Sequence, residues 1–242
     1  MPGALDLPPV GTQLLARVEQ AAVACGITRD SMTEAAARGA AALSRKLLEN
    51  QIAGATVLAL AGTGGKACAA LHALRILHGF GASCSAVLTG GEREMRPETA
   101  RAAAICEALR LPLLQPRSPA VRAAVADADL VLDGLLGVGL EGAPREPFAA
   151  LIRLSNESRA EVLSLECPSG LDPDTGDPMQ PTLAARATLA LGLPCAGLFA
   201  SVALQFTGDV WLCDIGYPPE ALQDAGLVAE GLFEANEIVR LH

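Results

Sequence analysis

Six short apolar runs, at residues 55–61, 82–88, 130–132, 162–165, 188–192 and 209–213, recur along this chain, with helix-like segments over 67–78, 98–109 and 147–156 among them. Parallel strands need long crossover connections, and helices supply them, so this alternation predicts an α/β fold with a mainly parallel sheet and helices on both faces. Upstream, residues 12–50 read as two Ala-rich helices, broken at Gly26-Ile27 and restarted at Asp30-Ser31, that pack on one face of the sheet. No repeat, charge block or long linker divides the 242 residues. A single domain over 11–242 is expected, behind a flexible N-terminus at 1–10.

Several function classes are excluded by charge and composition. The 18 Lys+Arg against 27 Asp+Glu give a net charge of −9, which leaves no basic surface to neutralise a phosphate backbone, so no nucleic-acid partner is expected. The cysteines Cys25, Cys68, Cys84, Cys106, Cys167, Cys195 and Cys213 form no CxxC pair, so neither a zinc knuckle nor a disulfide framework is indicated and a reduced, cytoplasmic protein is expected. The start, Met1-Pro2-Gly3-Ala4-Leu5, shows neither the basic nor the apolar region of a signal peptide. Residues 187–204 carry no charge, but Gly192, Pro194 and Gly197 interrupt them, which predicts a buried strand and loop and no membrane span.

Ligands of such sheets bind beyond the strand carboxyl ends, which directs attention to the loops after Ala61, Leu132 and Leu165. The first, Gly62-Thr63-Gly64-Gly65-Lys66-Ala67, joins strand to helix and can bring backbone N–H groups and a helix N-terminus to an anion, or serve only as a tight turn. It fits neither the Walker A spacing nor GxGxxG. The second begins with Asp133, suited to a cation, a ligand hydroxyl or a turn cap, and runs through Gly137, Gly139 and Gly142 to Pro147, which can open a helix. The third, Glu166-Cys167-Pro168-Ser169-Gly170-Leu171-Asp172-Pro173-Asp174-Thr175-Gly176, ends an apolar strand in a carboxylate, a turn and a hydroxyl. His72 and His78, six residues apart, face different sides of one helix, and these two and His242 are expected in core or surface roles, while nothing near Cys195 in sequence activates it and a buried, inert thiol is expected.

The stretch Asp133…Arg145-Glu146-Pro147-Phe148, the string Pro168-Ser169-Gly170-Leu171-Asp172-x-Asp174-Thr175-Gly176, and then Leu191-Gly192-Leu193-Pro194 and Cys213-Asp214-Ile215-Gly216 together resemble the NAD(P)H-hydrate epimerase family, the YjeF N-terminal domain. The resemblance spans nearly the whole chain. It implies a three-layer α/β/α sandwich, Rossmann-like and commonly a homodimer. It implies an isomerase that interconverts the C6 epimers of hydrated NADH or NADPH, a nucleotide-repair step that a separate dehydratase completes. By resemblance Glu166 is the catalytic carboxylate, where the family carries Asp. Gly62, Thr63, Gly64, Gly65 and Lys66, with Gly137, Val138, Gly139, Leu140, Glu141, Gly142 and Ala143, hold the substrate. A K⁺ ion beside the diphosphate takes Asp133 and Ser169 as ligands, and no other cofactor is expected.

The first loop departs from the family's G-x-G-N-N-G-G-D-G. Aligned without gaps back from Arg75, Gly62 and Gly64 meet its first two glycines and Lys66 meets the second asparagine, a K⁺ ligand in the family. An ammonium only donates hydrogen bonds and is itself positive, so Lys66 cannot ligate the ion. Two readings stand at this point: the Lys66 ammonium takes the ion's place and pairs with Asp133, or it is a solvated lysine in a drifted loop. The functional readings are correspondingly an epimerase in which Glu166 moves a proton at the C6 hydroxyl, a non-catalytic nucleotide-binding or dimerisation domain of the same fold, or an enzyme of another phosphorylated metabolite.

Overall fold

A computed structural model describes residues 8–140, 142–227, 233 and 237–241. The expected strands are β1 (Thr56–Ala61), β2 (Ser83–Leu88), β4 (Leu130–Gly134), β5 (Glu161–Leu165), β6 (Ala187–Leu191) and β7 (Asp209–Cys213), and two short edge strands, β3 (Leu113–Leu114) and β8 (Ile238–Arg240), complete the sheet. Its order is β3-β2-β1-β4-β5-β6-β7-β8, parallel throughout except where β8 runs antiparallel to β7.

The helices are α1 (Thr12–Ala24), α2 (Arg29–Leu47), α3 (Gly65–Gly79), α4 (Pro97–Ala108), α5 (Ala120–Ala126), α6 (Phe148–Asn156) and the short α7 (Leu204–Thr207) and α8 (Pro219–Gln223). Gly26, at φ +95°, turns the chain between α1 and α2 in a conformation that costs other residues. Thr28 then caps α2 by accepting from the Ser31 N–H at 3.1 Å. Asp174 caps α1 from the far end of the sequence, taking the Thr12 N–H at 2.6 Å and its hydroxyl at 2.8 Å. Pro147 sits one place before the first helical residue of α6.

Strand side chains alternate between two cores. Val57, Ala59, Leu132 and Leu163 face α1 to α4, whereas Leu58, Leu60, Val131 and Val162 face Val121 and Val125 of α5 and Leu151 and Ile152 of α6. Burial on both faces explains why these strands read as continuous apolar runs, and makes the molecule the three-layer sandwich expected. The uncharged stretch at 187–204 becomes β6 and a looped 3₁₀ turn, and among the described residues no helix is long and apolar enough to cross a membrane. Residues 1–7 of the expected flexible terminus lie outside the described residues. Val10, placed in that terminus by the sequence, is 4% exposed and pairs with Cys195, so the packed body reaches back to it.

The topology positions the site. From β1 the chain steps outward to β2 and β3, then returns to β4 on the other side of β1, so the loops after β1 and β4 diverge and leave a crevice. Gly62 lets those loops touch at its base, because a Cβ there would lie 2.1 Å from the Leu135 carbonyl oxygen. Gly62→Ala is therefore expected to lower the unfolding free energy by about 1–3 kcal/mol in urea denaturation. Gly79→Ala, with nothing near its added methyl, should raise it by about 0.4–1 kcal/mol.

Candidate active site

Lys66 lies in the first turn of α3, and its side chain runs inward beneath the three loops. Its Nζ donates to Asp133 Oδ2 at 2.9 Å, the Leu136 carbonyl at 3.0 Å and the Cys167 carbonyl at 2.7 Å, with Ser169 Oγ at 3.2 Å and Ser164 Oγ at 3.4 Å. The side chain is 3% exposed and that of Asp133 0%, so the solvated-lysine reading does not hold.

Asp133 is equally enclosed. Its Oδ2 accepts from Lys66, from the Ser164 hydroxyl at 2.8 Å and from the Ser169 N–H at 2.9 Å, while Oδ1 accepts from the Leu135 N–H at 3.1 Å and the Ser169 hydroxyl at 2.6 Å. Ser164 is abreast of Asp133 because the β4/β5 register pairs the two residues. Ser169 also accepts from the Leu136 N–H at 2.9 Å. A buried charge pair is tolerable only when every remaining lone pair and proton is engaged in this way.

Glu166 follows β5 with φ +64°, a left-handed conformation that costs a non-glycine residue on the order of 1–3 kcal/mol and concentrates at functional sites. The Glu166 N–H still bonds the Leu189 carbonyl at 2.8 Å, so the strand ladder holds the residue as its side chain swings outward. Its Oε2 accepts from the Val138 N–H at 3.0 Å across Gly137, where a Cβ would meet that oxygen at 2.1 Å. Burial pushes the carboxyl above its ordinary range, with the Val138 N–H and the Lys66 charge pulling it back.

The half-buried Glu166 borders a cleft of ≈ 900 Å³. From the first loop Thr63, Gly64, Gly65 and Lys66 line it, and from the second Gly137, Val138, Gly139, Leu140 and Ala143. Gly62 turns away against Leu135, Gly142 does not reach the cleft, and Glu141 lies outside the described residues. Asp133 and Ser169 form the layer beneath. Arg29, Arg96, Arg145 and Tyr217, none of them assigned to the site from sequence, also line the cleft. The Arg96 N–H holds the Thr63 carbonyl at 3.0 Å, and its guanidinium lies beside Gly65 at the N-terminus of α3, where Gly64 offers no capping side chain. First-turn N–H groups and Arg96 thus make a place for an anion. Asp172 is a turn former, accepting from the Asp174 and Thr175 N–H groups at 2.9 Å. Cys195 is buried, its thiol pushed up to about 12 by burial, and His72 and His78 lie along α3 outside the cleft, while His242 lies outside the described residues.

The K⁺ implied by resemblance does not fit these residues. The Lys66 ammonium already stands between Asp133 and Ser169, and a second cation in that enclosure would face one carboxylate and leave a positive charge buried without a partner.

The sequence model described as "YjeF-related protein N-terminus" matches residues 29–197. The NAD(P)H-hydrate epimerase of Dehalogenimonas lykanthroporepellens is 34% identical over 238 residues, 97% of this chain and 93% of that protein. That of Cenarchaeum symbiosum is 34% identical over 214 residues, 88% of this chain and 97% of that protein. The bifunctional NAD(P)H-hydrate repair enzyme of Pyrobaculum aerophilum is 32% identical over 75% of this chain, which corresponds to 37% of its own length. Among solved structures, yeast ynu0 superposes with a TM-score of 0.86 at 18% identity, covering 97% of this chain and 100% of that one, a likeness of fold.

Removing one member of the buried pair strands the other. Asp133→Ala is expected to cost about 3–5 kcal/mol in chemical denaturation, and the double variant Lys66→Met/Asp133→Leu less than Asp133→Ala alone, since no charge is then left unpaired.

Proposed function

Since the chain belongs to the YjeF-related N-terminal family, we propose that it is an NAD(P)H-hydrate epimerase, interconverting the C6 epimers of hydrated NADH or NADPH. Two relatives of that name, each 34% identical over most of both chains, support the reading. The observation that carries it is the placement of Glu166, whose carboxylate is held on the Val138 N–H at 3.0 Å at the wall of a cleft large enough for a dinucleotide.

The carbon to be inverted bears a hydroxyl and the ring nitrogen. One of those bonds must open and re-form on the opposite face, and a proton moves at the oxygen as it does. We assign that proton to Glu166. The carboxylate takes it as the C6–N1 bond opens, the electron pair passing to the nitrogen and its conjugated carboxamide. It returns the proton to the oxygen after the nitrogen has closed on the other face. The raised pKa of Glu166 makes it a stronger base than an ordinary carboxylate. Thr63 to Gly65 and Arg96 hold the diphosphate in this scheme, and the loop from Gly137 to Ala143 covers it.

Further parts of the reading are a homodimer, cytoplasmic placement, and a dehydratase acting on the same substrate from a separate chain. The bifunctional relative supports the last of these, because a second repair activity there shares one polypeptide.

The test is to supply one separated epimer of hydrated NADH and follow the other. Interconversion no faster than the spontaneous rate would remove the reading. Glu166→Gln is expected to lose about 10²–10⁴-fold in kcat. Arg96→Ala should raise KM about tenfold or more with kcat little changed, the signature of lost uniform binding.

A further inference from the structure

We infer that the Lys66 ammonium is a tethered monovalent cation, built into the chain, that holds the epimerase site in shape without K⁺. The inference rests on the epimerase reading for its activity arm only.

Five oxygens from the ends of β4 and β5 and their loops converge on one point occupied by Nζ, at 2.7 to 3.4 Å. A lysine has three N–H donors, so the set exceeds what a hydrogen-bonding side chain needs. The three shortest contacts, to the Cys167 and Leu136 carbonyls and Asp133 Oδ2, take those protons. The Ser164 and Ser169 hydroxyls spend their own hydrogens on Asp133 and present lone pairs to the nitrogen. Convergent carbonyl, hydroxyl and carboxylate oxygens around a single positive centre are the surroundings of a hard cation. One carboxylate and one ammonium make the enclosure neutral as it stands.

Lysine is suited to this and arginine is not. An ammonium is a compact point charge that donates to oxygens on all sides of its free face, whereas the guanidinium fork is planar. The chain carries 16 arginines and only two lysines, Lys46 and Lys66.

The tether also bears on the carboxylate. Lys66 binds the carbonyl of Cys167, the residue that follows Glu166, at 2.7 Å, and so anchors the chain just beyond the backbone on which Glu166 holds its φ of +64°. Lys66 is on this account a positioning residue for Glu166. A bound ion would do the same only in proportion to its concentration, while a covalently attached one is always present.

The experiment compares the full chain in KCl and in tetramethylammonium chloride at equal ionic strength, reading thermal midpoint and epimer interconversion. Wild type should give the same values in both salts. Lys66→Asn removes the charge and supplies a carbonyl oxygen. In tetramethylammonium it should melt lower than wild type and turn over on the order of 10–100-fold more slowly, and KCl should restore both. A wild-type midpoint or rate that rises in KCl overturns the proposal, as does a folded Lys66→Asn that KCl leaves unchanged. Should Lys66→Asn fail to fold, titration of wild type with Tl⁺, a K⁺ mimic read by calorimetry, decides: no binding is expected, and binding at the site overturns it. If wild type accelerates neither epimer, the epimerase reading fails while the midpoints still decide the cation.

Discussion

A carboxylate with no exposed surface and an ammonium with almost none are each costly to take out of water, by several kcal/mol after relaxation. The pair between Asp133 and Lys66 persists because the whole carboxyl end of the sheet is built around it. β4 brings the carboxylate, the first turn of α3 brings the ammonium, and β5 brings Ser164 abreast of Asp133 through the strand register. Ser169 then closes the circle with both its N–H and its hydroxyl. No single loop could satisfy either charge, so three loops that leave different strands are drawn to one point. The cleft above them inherits its shape from that convergence.

The same convergence explains how Glu166 stays in a strained conformation. Its backbone is held on one side by the Leu189 carbonyl and on the other by the Lys66 grip on Cys167, and its carboxylate by the Val138 N–H. Strain of that size persists only where surrounding contacts over-determine the geometry. On the epimerase reading, that fixed geometry leaves the carboxylate little reorganisation to make during the reaction.

How much of this the sequence revealed depended on whether the signal lay in side chains. Six apolar runs announced their strands, and the strand-end rule directed attention to Lys66, Asp133, Glu166 and Ser169 before any distance was known. Strands β3 and β8, two and three residues long, are too short to carry a period. The Leu136 and Cys167 carbonyls are main-chain atoms that any residue supplies, so their part in the enclosure has no sequence mark. Ser164 had one, a hydroxyl inside a buried apolar strand, legible only once the register set it beside Asp133. Arg96 was hidden among 16 arginines, because what distinguishes it is its place beside Gly65. The first ten residues were read as loose for want of apolar pattern, yet one of them, Val10, pairs beside Cys195 through backbone bonds to Pro194 and Ala196 that pattern cannot show.

Two departures from the family pattern, Lys66 in the first loop and Glu166 in the third, are joined through one glycine. A Cβ on Gly137 would lie 2.1 Å from Glu166 Oε2 and 3.6 Å from Lys66 Cδ, so the carboxylate and the lysine stem both crowd the place that a side chain would take. A glutamate reaches one methylene further than an aspartate, and across Gly137 that extra reach ends on the Val138 N–H. The lysine stem lies close by, and its ammonium secures the carbonyl of the next residue, Cys167. The longer acid and the internal cation therefore fit one arrangement. The lysine fixes the base of the loop, the glycine leaves room, and the added methylene spans the distance to a backbone donor that holds the carboxylate at the cleft.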